Sequence, residues 1–117
     1  MKNSVKKEIE KIIKEYNLNW SIEEFKDKVN WEIVSTYFLS EDFIIEFEDK
    51  VDWDWISRFQ ILSLDFIIKY QNRLNWWWIG RNYNITKAHV LKFEYEKLEK
   101  EKLEKTRVKN KFKLIRF

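Results

Sequence analysis

At 117 residues the chain has the length of one domain. With 44% hydrophobic and 18% aromatic residues it is too apolar for a disordered segment, even at 37% charge. The absence of cysteine excludes disulfides and thiolate metal sites, and a single glycine with no proline removes nearly every helix breaker. The formal charge of +3 hides net values of +1 over residues 1–29, −7 over 30–66 and +9 over 67–117, an asymmetry that points to a partner surface.

The first residues, Met1-Lys2-Asn3-Ser4, lead into alternating charges and not into the apolar run of a signal peptide. The longest apolar run, Trp76 to Ile79, falls far below the roughly 20 residues of a membrane span. No membrane partner is expected, and a reducing cytoplasm is the expected location. Residues 4–16 place Val5, Ile9, Ile12, Ile13 and Tyr16 on one helical face, predicting an N-terminal capping helix. Ser21-Ile22-Glu23-Glu24 has capping-box spacing and opens a half-unit that ends at Lys28.

From there the chain repeats. Phe25-Lys26-Asp27-Lys28-Val29-Asn30-Trp31 returns as Phe47 to Trp53 and again as Tyr70 to Trp76, with tryptophans 22 and 23 residues apart, a period typical of stacked supersecondary units. The units run over 29–50, 51–73 and 74–97. Each opens with Asn30, Asp52 or Asn75, favoured N-cap types, followed by Trp-x-x-(Ile or Val), a spacing that puts both apolar residues on one face of a short helix. A second helix follows Ser40, Ser63 or Thr86, with apolar residues at i, i+1 and i+4. Thr86 to about Lys105 reads as a longer helix that closes the stack, and for residues 106–117 helix, short strand and frayed tail are all open. The fold class expected is all-α: a small stack of helix-turn-helix repeats between an N-terminal capping helix (1–28) and a basic C-terminal extension (98–117), one domain throughout.

Over 25–93 the pattern W-x-x-I-S, L-S-x-D-F-I-I, D-K-V-D-W resembles short tandem repeats found in uncharacterised proteins of phages, bacterial mobile elements and large DNA viruses. The match is fullest over 51–70. The third unit departs, with Gly80 for serine and His89 for phenylalanine, as an end repeat without a following neighbour would. The resemblance implies a helical repeat and carries no activity.

Little in the chain points to catalysis. His89 is the sole histidine and stands where other units have Phe43 and Phe66, so it is expected at the edge of the core, with no second histidine or cysteine for a metal. No glycine-rich phosphate loop exists, and neither a cofactor nor enzymatic activity is expected. Trp31, Trp53 and Trp76 are expected to be buried in equivalent places, Trp55 and Trp78 to point inward, and Trp77, at the position of Glu32 and Asp54, to face solvent beside Arg81, Tyr83 and Lys87. The first functional reading is a non-enzymatic interaction module that offers Glu32, Glu41, Asp42, Glu46, Glu48, Asp49 and Asp54, with Trp77, Arg81 and Tyr83, to a protein partner. With the viral resemblance, such a partner would be a host defence protein or nuclease. The alternative is nucleic-acid binding by Lys105, Arg107, Lys109, Lys111, Lys113 and Arg116 with Phe112 or Trp77 stacking on bases. The expectation between the two is that this basic tail docks on the acidic middle of its own chain. Self-association is compatible with either.

Overall fold

The computed structural model describes the backbone of residues 1–114 and the side chains of residues 1–107. Eight helices and no strand occur among the described residues: α1 (Asn3–Glu15), α2 (Ile22–Lys28), α3 (Trp31–Val34), α4 (Glu41–Glu46), α5 (Trp53–Phe59), α6 (Leu64–Lys69), α7 (Trp76–Tyr83) and α8 (Lys87–Leu114). α3, α5 and α7 are the opening helices of the three units, and α4, α6 and the start of α8 are the closing ones. The third closing helix continues through Leu114 without a break, so nothing in the backbone marks a boundary at 97/98.

Local chemistry fixes the starts of α2 to α7. Asn30 and Asp52 Oδ1 accept from the amides two and three residues on, Asn75 Oδ1 from Trp77, while Ser40 and Ser63 Oγ accept from Phe43 and Phe66. Ser21 and Glu24 form the expected N-cap contact of α2 at 3.1 Å. α1 ends in a Schellman motif: Asn17 adopts a positive φ of 52° and the Leu18 amide reaches back to the Ile13 carbonyl.

One core runs through the stack because equivalent positions are buried in successive units. Val34, Ile56 and Ile79 come from the opening helices, and Ile44, Ile67 and Val90 from the closing helices. α1 packs Val5, Ile9 and Ile12 against α2 and α4, taking the place a preceding unit would occupy. Each Trp31, Trp53 and Trp76 is half-buried against this core, less enclosed than expected, because its indole lies along the unit's edge with Nε1–H donating to the carbonyl five residues upstream: Lys26, Glu48 and Gln71, at 3.1, 3.0 and 2.8 Å. Two aromatic triads form around them, Trp31–Phe43–Phe47 and Trp53–Phe66–Tyr70, with centroid separations of 4.6 to 6.2 Å.

The units are joined by polar side chains that reach from one to the next. Ser35 Oγ donates to the Trp31 carbonyl and accepts from the Asp52 amide; Ser57 Oγ does the same between Trp53 and Asn75. Both serines are fully buried, so each hydroxyl settles an amide that water does not reach. Gln60 accepts from the Leu39 amide and donates to the Ser35 and Tyr37 carbonyls, sealing the turn of unit one. One repeat later the Tyr83 hydroxyl accepts from the Leu62 amide and donates to the Gln60 carbonyl, the same task with a different residue.

Two buried groups yield predictions. Ser57→Ala removes both bonds of the bridge and leaves the Asn75 amide orphaned, a loss of about 1–3 kcal/mol in denaturant unfolding. Gly80→Ser, at the equivalent place, meets only the Ile85 carbonyl at an ordinary 3.5 Å and should leave stability unchanged or slightly raised. Tyr70 is buried and its hydroxyl donates to Glu48 at 2.7 Å, so burial first, then the Glu48 bond, pushes it up to about 12. The folded state therefore holds a proton that the unfolded chain releases near pH 10, so stability falls as pH rises from about 10 to 12. Tyr70→Phe should flatten that fall and cost about 1.5–3 kcal/mol at neutral pH, read from melts across the alkaline range.

Candidate interaction surface

The acidic residues expected to form a free face are mostly engaged across unit boundaries. Glu41 accepts from the Ser63 amide and hydroxyl at 2.8 Å each, half-buried beneath the start of α6. Glu48 holds the Tyr70 hydroxyl, and its carbonyl and the Asp49 carboxylate hold the Arg73 guanidinium. Glu32 accepts from Trp55 Nε1–H at 3.3 Å and Asp54 from the Asn75 amide group at 3.1 Å. Asp42 pairs with Lys2 of α1 at 3.1 Å, and Glu46 is exposed. Six of the seven thus bind their own chain, five of them one unit further on, because a carboxylate at a unit edge is the nearest acceptor for the next unit's capping groups.

His89 corrects the expectation of a core-edge ring. It is exposed, and with Thr86 it forms a reciprocal cap at the start of α8: His89 Nδ1 accepts from the Thr86 amide at 3.0 Å while Thr86 Oγ1 accepts from the His89 amide at 3.4 Å. Its reason lies one unit back. Glu8 of α1 serves the Ser40 amide and Glu41 serves the Ser63 amide, but the next such position holds Leu64, which has no acceptor, so the third unit supplies its own.

Tyr83 is half-buried with its hydroxyl committed to the turn of unit two, so it does not join an open patch. Trp77 is 59% exposed and lies under Arg81, whose guanidinium stands 4.6 Å from the ring centroid. Neighbouring residues make this a larger feature than the sequence indicated. Trp78 packs edge-on to Trp77 at 4.5 Å, and Arg58 lies over Trp78, Phe59 and Trp55 at 4.5, 4.9 and 5.4 Å. Trp55 and Phe59 stack at 5.3 Å. The indoles of Trp55 and Trp78 are therefore half-covered and turned to the outer face of α5 and α7, not inward. The signal that could have shown this is the equivalence of Trp55 and Trp78 with Arg58 three residues from one and a unit from the other; a residue-by-residue burial rule hides it because indole is assigned to the core by default.

α8 stands away from the stack. Beyond Val90 its residues through Arg107 are exposed except the half-buried Glu94 and Glu99, and the molecule extends 69 Å along its long axis. Arg107 pairs with Glu104 of α8 at 3.8 Å and Lys105 is exposed, so neither docks on the acidic middle. The side chains of Lys109, Lys111, Phe112, Lys113 and Arg116 lie outside the described residues. Among the described residues no group of His, Cys, Asp or Glu could hold a metal ion, and no helix is long and apolar enough to cross a membrane.

Trp77 should dominate the iodide-accessible tryptophan fluorescence, since it is exposed and Arg81 concentrates the anion beside it. Trp77→Phe should remove most of that quenchable fraction, and Arg81→Ala should lower the iodide quenching constant with little effect on neutral acrylamide.

No protein-family model matches the chain, and neither does any curated protein or solved structure.

Proposed function

We propose that the chain is a non-enzymatic protein-interaction module whose binding face is the aromatic and arginine surface of α5 and α7. The observation that carries this reading is the pair of exposed guanidiniums, Arg58 and Arg81, stacked on indole rings and bonded to no carboxylate among the described residues. A guanidinium stacked in this way keeps its in-plane N–H donors free for a bidentate carboxylate. Tryptophan and arginine are also the residues that contribute most where protein surfaces meet. The partner chemistry that fits is a protein surface with carboxylates set among apolar side chains. The acidic residues of the middle units support the stack and so indirectly the face, and are not themselves the contact. By the resemblance of the repeat to units of phages and mobile elements, the partner would be a host protein, and the chain its inhibitor or decoy.

A second reading, nucleic-acid binding by the basic end of α8, is favoured by Lys105 and Arg107 standing exposed on a helix that leaves the stack. One experiment separates the two. The chain is used as bait in extract of its source cells, with and without nuclease, beside an Arg58→Ala/Arg81→Ala variant. The first reading expects a protein that stays bound after nuclease and is lost with the double variant, whose unfolding free energy should move by no more than about 0.5 kcal/mol per surface change. Retention by the double variant overturns it. Capture that vanishes with nuclease, together with affinity for single strands falling at a log-log salt slope of about −0.7 per phosphate, selects the second.

A further inference from the structure

The stack's last hold on α8 is Glu94, which accepts from the Gln71 side-chain amide at 3.0 Å. From Tyr95 to Arg107 every residue is exposed except the half-buried Glu99. The side-chain contacts described there stay within the helix: Lys102 to Glu99 at 3.6 Å, Arg107 to Glu104 at 3.8 Å, and Thr106 Oγ1 to the Lys102 carbonyl at 3.0 Å. Eleven of these thirteen residues are Leu, Glu, Lys or Arg, all strong helix formers. The spacing adds Glu96 with Lys100 and Glu101 with Lys105, the acid four residues before the base, which is the better order. The apolar residues make no seam for a second helix. Tyr95 and Leu98 share a face whose next positions are Lys102 and Lys105, and Leu103 turns about 140° away from Leu98.

We propose that α8 beyond Glu94 is a self-supporting spacer that carries the basic end of the helix about 20 Å past the stack, at roughly 1.5 Å per residue. The costly first turn of the helix is already formed by the reciprocal cap of Thr86 and His89 and by the buried Val90. The exposed part therefore needs only propagation, which good helix formers sustain in water once a nucleus exists. Helices held in this way by Glu and Lys act as semi-rigid spacers. The face of α5 and α7 and the basic end of α8 are thereby two contact elements set a fixed distance apart. The spacing holds whichever partner either end binds, and does not rest on the arginine surface.

The chain has no cysteine, so Lys92→Cys with Lys105→Cys places one pair of spin labels at exposed positions of α8 in the full chain. Continuous helix puts them about 20 Å apart, and electron–electron double resonance should return a narrow distribution at that separation. Hydrogen exchange on the unsubstituted chain gives a second reading. Amides of residues 95–107 should be protected only about tenfold, as in a helix without tertiary support, and those of the buried Ile56, Ile67 and Ile79 far more. Glu96→Lys with Glu101→Lys, both at exposed positions, should speed exchange over 95–107 several-fold and leave the melting temperature of the stack unchanged. A broad distance distribution overturns the proposal, because the segment is then coil. Protection over 95–107 equal to that of the core overturns it as well, since the helix is then packed on the stack or on a second copy. Exchange unaltered by the double substitution shows that the ion pairs do not support the helix, and also overturns it.

Discussion

The structure depends on a buried serine hydroxyl placed between successive units. Ser35 and Ser57 each sit four residues after the unit's tryptophan, donate to that tryptophan's carbonyl, and accept from the amide of the residue that caps the next unit's opening helix. The same atom thereby ties one opening helix to the start of the next. An aliphatic residue of similar size would pack as well and leave an orphaned amide in a site closed to water. At the third unit no further opening helix follows among the described residues, and the residue is Gly80, where a side chain would meet only the Ile85 carbonyl at an ordinary 3.5 Å. At the other end Glu8 of α1 supplies the acceptor that Glu41 supplies between units one and two.

This arrangement decides what the acidic middle does. A net charge of −7 over 37 residues looks like a surface for a cationic partner. Yet carboxylates at unit edges are the acceptors that neighbouring caps, an indole N–H, a phenol and a guanidinium require. Apart from the Tyr70–Glu48 bond, whose phenol is buried, such bonds between exposed groups contribute little singly, and their value is in fixing the register of one unit on the next. Where the carboxylate is missing, at Leu64, the next unit compensates with His89.

Aromatic residues divide into two populations by register. Trp31, Trp53 and Trp76 close their own units, each with its N–H bound to a carbonyl five residues back. Trp55, Trp77 and Trp78 lie on the outer face, organised by Arg58 and Arg81. The turn tips repeat the pattern of apolar exposure, with Phe38 95% and Ile61 85% exposed at equivalent places. Exposed apolar groups of this kind are what motivates the interaction role proposed above.

The sequence by itself determined the helical class, the number of units, the caps and the half of each unit that faces the core. These depend on local periodicity and on short-range bonds between a side chain and amides two or three residues on, both of which are written in the order of residues. It also marked Trp77 as the odd tryptophan, because its counterparts are Glu32 and Asp54. Tertiary structure alone decided which acids remain free, since their partners lie 21 to 24 residues away in the next unit. It alone turned Tyr83 from a surface residue into a turn seal, and His89 from a core substitute into a cap that answers Leu64. The helix α8 leaves the stack for the same kind of reason: after Val90 the chain meets no further unit, so Leu91, Phe93, Tyr95, Leu98 and Leu103 stay exposed.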